Sequence, residues 1–231
     1  ILDSRIGGTV DLYHRRITGL LWDIPVPVPP NLVGTTYGNA GEMTNKGIEI
    51  LLNFVPVQKT DFYWESSINF STNANKLLSL NSDIYENTVE FWKIGNSGEP
   101  IWDPTHLLEV DGKIGNFWGY KVVDVTEDGQ WIYLDSLNNK VEYNDFERID
   151  DNKHILGNGI PKYFVGWNNT FRYKNFDLSI LMRGAFKFQI LNRQRMYYEN
   201  TSIEYYNRLS SAYDEVFGKA VLSKDMPLQY N

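Results

Sequence analysis

Apolar and polar residues alternate along this chain in unusually long stretches. Over residues 5–17, Ile6, Gly8, Val10, Leu12 and His14 share one face, and Arg5, Thr9, Asp11, Tyr13 and Arg15 share the other. Residues 61–73 set Phe62, Trp64, Ile68 and Phe70 against Asp61, Tyr63, Glu65, Asn69 and Ser71. Successive strand side chains point to opposite faces, so each stretch predicts a strand with one apolar and one polar side. Similar stretches occupy about 42–55, 162–173 and 176–188. Alternation over about 9–11 residues suits a membrane-crossing strand, whereas soluble strands sustain it for roughly 5–6. The predicted fold class is all-β: an antiparallel transmembrane β-barrel segment of about five long amphipathic strands within a larger barrel. Five strands cannot close a barrel, and an open edge in lipid leaves backbone groups unpaired.

The connections alternate in length. A proline-, glycine- and asparagine-rich stretch, 18–41, follows the first strand, while a compact turn at 56–60 joins the second to the third. Lys174-Asn175 joins the fourth to the fifth. The stretches 18–41, 74–161 and 189–231 predict long extracellular loops, opposite short periplasmic turns. Inside the second of these, 115–125 and 130–134 predict short strands around Glu127-Asp128-Gly129. Residues 202–217 have some helical character. Phe54, Phe62, Trp64, Phe171, Tyr173 and Phe176 gather at the short-turn ends, as interfacial aromatic girdles require. Residues 1–231 therefore read as part of one outer-membrane β-barrel domain.

Composition removes other classes. The net charge of -7 is scattered, without a basic stripe, so no nucleic-acid partner is expected. The absence of cysteine excludes disulfides and thiolate metal sites. No run of 18 apolar residues exists, so no transmembrane helix is predicted. Alternation averages hydropathy out, and the mean hydropathy of -0.40 does not argue against a membrane. The chain opens at Ile1 without a signal-peptide pattern, so its natural N-terminus is expected upstream. His14, His106 and His154 match no metal-ligand spacing, and Asp150-Asp151 has no nucleophile or histidine partner. A catalytic triad, a P-loop and a dinucleotide fingerprint are all lacking, so no enzyme is predicted.

Several motifs, in order along the chain, carry a family resemblance. They are Val10-Asp11-Leu12-Tyr13 with Leu20-Leu21; Asn39-Ala40-Gly41-Glu42-Met43-Thr44-Asn45-Lys46-Gly47-Ile48-Glu49; Gly115-Asn116-Phe117-Trp118-Gly119-Tyr120; and Leu156-Gly157-Asn158 through Pro161 with Gly166, Asn169 and Phe171. Together they resemble the SusC/RagA-type branch of TonB-dependent outer-membrane receptors, over a stretch of barrel towards the C-terminal half. The resemblance implies a barrel of about 22 strands around a plug domain, in the outer membrane of a Gram-negative bacterium and in contact with its lipid. It also implies import of a bulky nutrient, glycan or oligopeptide, driven through TonB and aided by a SusD-like surface lipoprotein. On this resemblance the plug, the TonB-coupling segment and the last strands of the family are expected to lie outside this stretch. No cofactor is implied. Where family members carry a calcium-loop-like segment, Asp145, Asp150 and Asp151 lack the regular acidic spacing and central glycine, which disfavours calcium in the 145–151 region.

The candidate site residues divide into two sets. Trp92, Trp102, Trp118 and Trp131 lie in the long loop and are candidates for substrate binding by stacking on sugar rings. They serve equally as a loop core or a partner contact. Arg5, Asp11, Arg15, Glu49, Glu65, Arg183 and Lys187 are expected to face the lumen, either lining a permeation path or hydrogen-bonding a plug. Gly41 and Gly47 read as positions of close loop-to-strand geometry. Two rivals remain: a soluble β-rich glycan-binding module whose apolar faces pack together, and a receptor relative that does not transport.

Overall fold

The structure, a computed structural model, describes residues 5–82, 90–98, 101–201 and 207–221. Its strands in chain order are β1 (Ile6–Thr18), β2 (Leu21–Pro25), β3 (Thr35–Gln58), β4 (Phe62–Ser82), β5 (Phe91–Asn96), β6 (Pro104–Glu109), β7 (Asn116–Tyr120), β8 (Val122–Val125), β9 (Trp131–Leu134), β10 (Lys140–Glu142), β11 (Lys153–Asn158), β12 (Tyr163–Tyr173) and β13 (Phe176–Phe186). One short helix, α1 (Arg193–Tyr198), follows them. The chain divides into two compact units.

The long-strand unit comprises Ile1–Glu90, Glu109–Ile114 and Ile160–Phe188. Its strands pair antiparallel in the order β1-β3-β4-β12-β13, with β2 also on β3. Two strands outrun their expected limits: 42–55 is the latter part of the 24-residue β3, and 61–73 the first part of the 21-residue β4. The stretch 18–41 is not wholly loop, because β2 pairs with β3 from Leu21–Asn39 to Pro25–Thr35. Beyond the expected limits, at 35–41 and 74–82, the apolar alternation fades while the ladder continues. A strand whose two faces are both polar has no period-two hydrophobic signal to reveal it.

The short-strand unit comprises Phe91–Leu108, Gly115–Gly159 and Gln189–Asn231. It holds two small sheets, ordered β11-β7-β6-β5 and β10-β9-β8. Tyr120 of β7, Val125 of β8, Trp131 and Tyr133 of β9 and Phe146 form a buried core, in which the Tyr133 and Phe146 rings stack at 4.5 Å. Most of the expected loop 74–161 is thus folded structure with a core of its own. Within the stretch 202–217, expected to have some helical character, a 3-10 turn forms at Ser210–Tyr213, and the short helix α1 precedes that stretch. Residues 202–206 of that range lie outside the described residues.

Two glycines in β3 are fixed by their surroundings. Gly41 has φ +84° at a bulge in the β3–β4 ladder, a conformation L side chains avoid. Gly47 has ordinary strand geometry, but the ring of Tyr13 covers it from the opposite strand. A Cβ there would overlap the Thr72 carbonyl and sit 2.5 Å from the Tyr13 hydroxyl oxygen. Gly7 on β1 has nothing within 4 Å of such a Cβ. Gly47→Val is therefore expected to destabilise the folded protein by about 1–3 kcal/mol, read as a lower urea midpoint. Gly7→Ala should leave that midpoint within about 0.5 kcal/mol of the parent.

Candidate functional site

Register across the long-strand unit turns separate amphipathic strands into two continuous faces. On the apolar face, Val10, Ile50, Phe70 and Val165 form one cross-strand row, and Gly8, Leu52, Ile68, Trp167 and Met182 the next. Large residues on this face stay exposed: Leu12 at 75%, Val10 at 64% and Phe176 at 77%. Nothing among the described residues covers it. An uncovered apolar surface across five strands is far more than a soluble monomer usually exposes.

Aromatic residues bound this face at both ends. At the short-turn end Trp64 stacks on Phe171 at 5.5 Å, and Phe62 pairs with Tyr173, which pairs with Phe176. At the long-connection end Phe70 stacks on Tyr163 at 5.9 Å, and Tyr163 pairs with Phe186. Two polar side chains interrupt the face between them, and both are buried: Ser66 at 0% exposed and Asn169 at 3%. The Trp64 indole donates to Asn169 Oδ1 at 3.1 Å, and the Trp167 indole donates to Ser66 Oγ at 2.8 Å. Sequence reasoning missed this cluster. Its signal was available, as polar residues at apolar parity on strands that also carry tryptophans.

The polar face holds six of the seven residues expected in the lumen. Asp11 lies directly opposite Glu49, and Arg15 opposite Asn45. Glu65 is opposite Thr170, and Arg183 opposite Gly166. Arg5 precedes β1 but extends its ladder, its carbonyl accepting from Val55 N–H at 2.8 Å. Lys187 is the exception: it lies past β13 with φ 56°, where strand parity no longer sets its direction. These groups do not converge on one point. Arg183 lines a hollow of about 420 Å³ with Asn69, Phe164, Gly166, Leu181 and Ala185. Asn45 and Asn73 each hold a buried carboxamide oxygen without a hydrogen-bond partner among the described residues.

The short-strand unit reassigns the loop tryptophans. Trp131 is buried at 2% exposed and Trp118 at 6%, so neither ring has a free face for a sugar. They build the interior because an aromatic ring buries more apolar area than any other side chain this loop offers. Trp92 is half-buried in β5, and Trp102 alone of the four is well exposed, at 61%. Over Trp118 lies the ammonium of Lys153, 4.5 Å from the ring centroid. The Lys153 side chain is 4% exposed and meets Asp150 at 3.1 Å and Asp103 at 3.6 Å. Burial, then the charges of Asp103 and Asp150, push the Tyr120 hydroxyl up to about 12. Asp150, which also pairs with Lys93, is occupied by lysines, and its carboxyl is lowered first by the Lys93 hydrogen bond. No group of three or more metal-ligating side chains occurs among the described residues.

No protein-family model matches the chain. Curated proteins do. It is 28% identical over 204 residues to TonB-dependent receptor P3 of Formosa agariphila, covering 83% of this chain and 20% of that protein. It is 29% identical over 189 residues to TonB-dependent receptor SusC of Bacteroides thetaiotaomicron, covering 80% of this chain and 18% of that one. The chain thus spans about a fifth of the length of the curated relatives it matches. Its fold is that of a chain in the RagAB peptide importer: the closed-closed state aligns with a TM-score of 0.69 and 20% identity over 86% of this chain and 21% of that one. The open-open state aligns with a TM-score of 0.70 at 19% identity.

Two outcomes are expected from this geometry. Asn169→Ala strands the Trp64 indole N–H without its acceptor and should lower stability by about 1–3 kcal/mol in chemical denaturation. In the short-strand unit, Asp150 is lowered as described, Asp124 mainly by the Val125 backbone N–H and Asp135 mainly by the Asn139 side chain. Lowered carboxyls contribute stability that is complete above the ordinary carboxylate value of about 4 and lost as pH falls through the folded values. Tryptophan fluorescence should therefore report loosening on acidification below about pH 4. Asp150→Asn should reduce that acid response and leave the part due to Asp124 and Asp135.

Proposed function

Because the chain is a stretch of a SusC/RagA-type TonB-dependent receptor, we propose that it forms part of the wall and outer loops of an outer-membrane barrel that imports a bulky nutrient. The observation that carries this reading is the exposed apolar face between two aromatic bands. Tyr163 and Tyr173 close the ends of the 11-residue β12. Ten strand steps cover about 33 Å, and a tilt of about 40° reduces this to about 25 Å, the height of a membrane barrel's apolar band. The apolar face meets lipid, and the polar face looks inward.

The long connections then lie outside the cell and the turns at 59–61 and 174–175 in the periplasm. Inward, Asp11, Glu49, Arg15 and Arg183, with the unmet acceptors of Asn45 and Asn73, offer a plug domain hydrogen-bonding groups to seat against. A plug driven through TonB supplies the gating. A SusD-like surface lipoprotein captures the cargo, and the short-strand unit is the part of this chain available to meet it. The cargo is a glycan or an oligopeptide. No bond is made or broken in this process, so the role is transport and not enzymatic.

Isolation of the full-length protein from outer membranes in mild detergent, with intact masses for everything retained, tests the reading. The expected result is a chain several-fold heavier than 26.8 kDa, held with a lipid-modified partner. A soluble, partner-free species near 26.8 kDa would overturn it in favour of a β-rich binding module.

A further inference from the structure

Basic side chains follow the apolar face at both margins but cluster at one of them. At the short-turn margin its outermost positions are Phe62, Tyr173 and Phe176, and Lys59 and Lys174 follow in the two turns, the Lys174 ammonium 5.5 Å from the Tyr173 ring. At the long-connection margin the last apolar cross-strand pair is Leu12 and Ile48, and the next pair at the same parity is His14 and Lys46. One further step brings Arg16 opposite Thr44, with Lys76 on the far side of Thr44. Four basic side chains on three adjacent strands thus project from the lipid side just past its apolar rows, and all four are exposed. They gather there in a chain whose net charge is -7.

Acidic side chains offset only part of this strip. Arg16 pairs with Glu42, and Lys76 reaches Asp111 at 2.7 Å. Lys46 and His14 have no carboxylate partner among the described residues. Arg16 and Lys76 remain 62% and 50% exposed despite their pairs, so their outward N–H groups stay accessible. Cross-strand neighbours stand about 5 Å apart and next-nearest strands about 10 Å, which spaces the cations to meet more than one anionic group.

We propose that His14, Arg16, Lys46 and Lys76 form a binding strip for the phosphates of an outer-leaflet glycolipid. The inference rests on the barrel reading above, which sets this margin at the outer leaflet. Ammonium and guanidinium groups beside an apolar surface match a headgroup in which phosphate sits directly above acyl chains. Leu12, Ile48 and Tyr163 would contact the chains, and the strip would hold the phosphates. Among the described residues, only Lys59 and Lys174, in two separate turns, follow the opposite margin, whereas four basic side chains gather on adjacent strands here.

The test uses the full-length receptor extracted in mild detergent, compared with a variant carrying His14→Gln, Lys46→Gln and Lys76→Gln. Native mass spectrometry and phosphate assay measure the glycolipid retained. The parent should retain phosphorylated glycolipid, and the variant about tenfold less. Adding diphosphorylated glycolipid should raise the melting temperature of the parent, while its dephosphorylated form and inorganic phosphate should not. Equal retention by both proteins would overturn the proposal, as would an equal shift with the dephosphorylated lipid or with inorganic phosphate. If the triple variant does not fold, Lys46→Gln alone and the melting series on the parent decide by the same criteria. A receptor that reaches the outer membrane and holds its lipoprotein, yet retains no phosphorylated lipid, defeats this proposal and leaves the import reading intact. A receptor absent from that membrane defeats the import reading itself.

Discussion

Strand register is the constraint on which the long-strand unit depends. Side chains alternate with period two, so a slip of one residue in any ladder would carry a whole row to the opposite face. The β1–β3, β4–β12 and β12–β13 ladders run without a shift. The β3–β4 ladder shifts only at Ala40–Met43 and between Phe54 and Val57. Its uninterrupted stretch contains Ile48, Ile50 and Leu52, the core of the apolar rows. Bulges re-aim side chains, so irregularity is confined to the margins, where a change of face costs least.

The same constraint explains the polar cluster inside the apolar face. Ser66 and Asn169 sit opposite one another at apolar parity. In apolar surroundings an unpaired hydroxyl, amide or indole N–H costs several kcal/mol, on the order of 2–7 by transfer. Pairing each with a tryptophan on the neighbouring strand satisfies the polar groups and lays a ring over them. The face stays effectively apolar to its surroundings although its composition is not.

Legibility in the sequence followed from how many environments a residue type can serve. The faces of residues 6–14 or 163–173 were readable because each has one apolar and one polar side, which imposes a strict alternation. The far ends of β3 and β4 and the β2 pairing were not, since polar residues such as Asn39, Asn75 and Asn81 give a strand no preferred side. Trp118 and Trp131 could not be told from a binding platform, because a ring that packs a core and a ring that stacks on a ligand look alike in one dimension. Lys153 was also hidden. Only the fold brings Asp103 and Asp150 to its ammonium, and without them the burial would be prohibitive.

These constraints divide the chain by its freedom to change. Residues of the apolar rows must stay apolar, and those at Gly47 and Ser66 must stay small. Trp118, Trp131 and Lys153 are held by the short-strand core. Cargo selectivity on the import reading therefore falls to groups that neither face pattern nor core fixes: the exposed Trp102, the Arg183 hollow on the polar face and the outer turns of the short-strand unit. Such residues can change while the register and the aromatic bands remain as they are. This separation accounts for a shared fold at 20% identity with a chain of the peptide importer, since parity restricts the class of each wall residue but seldom its identity.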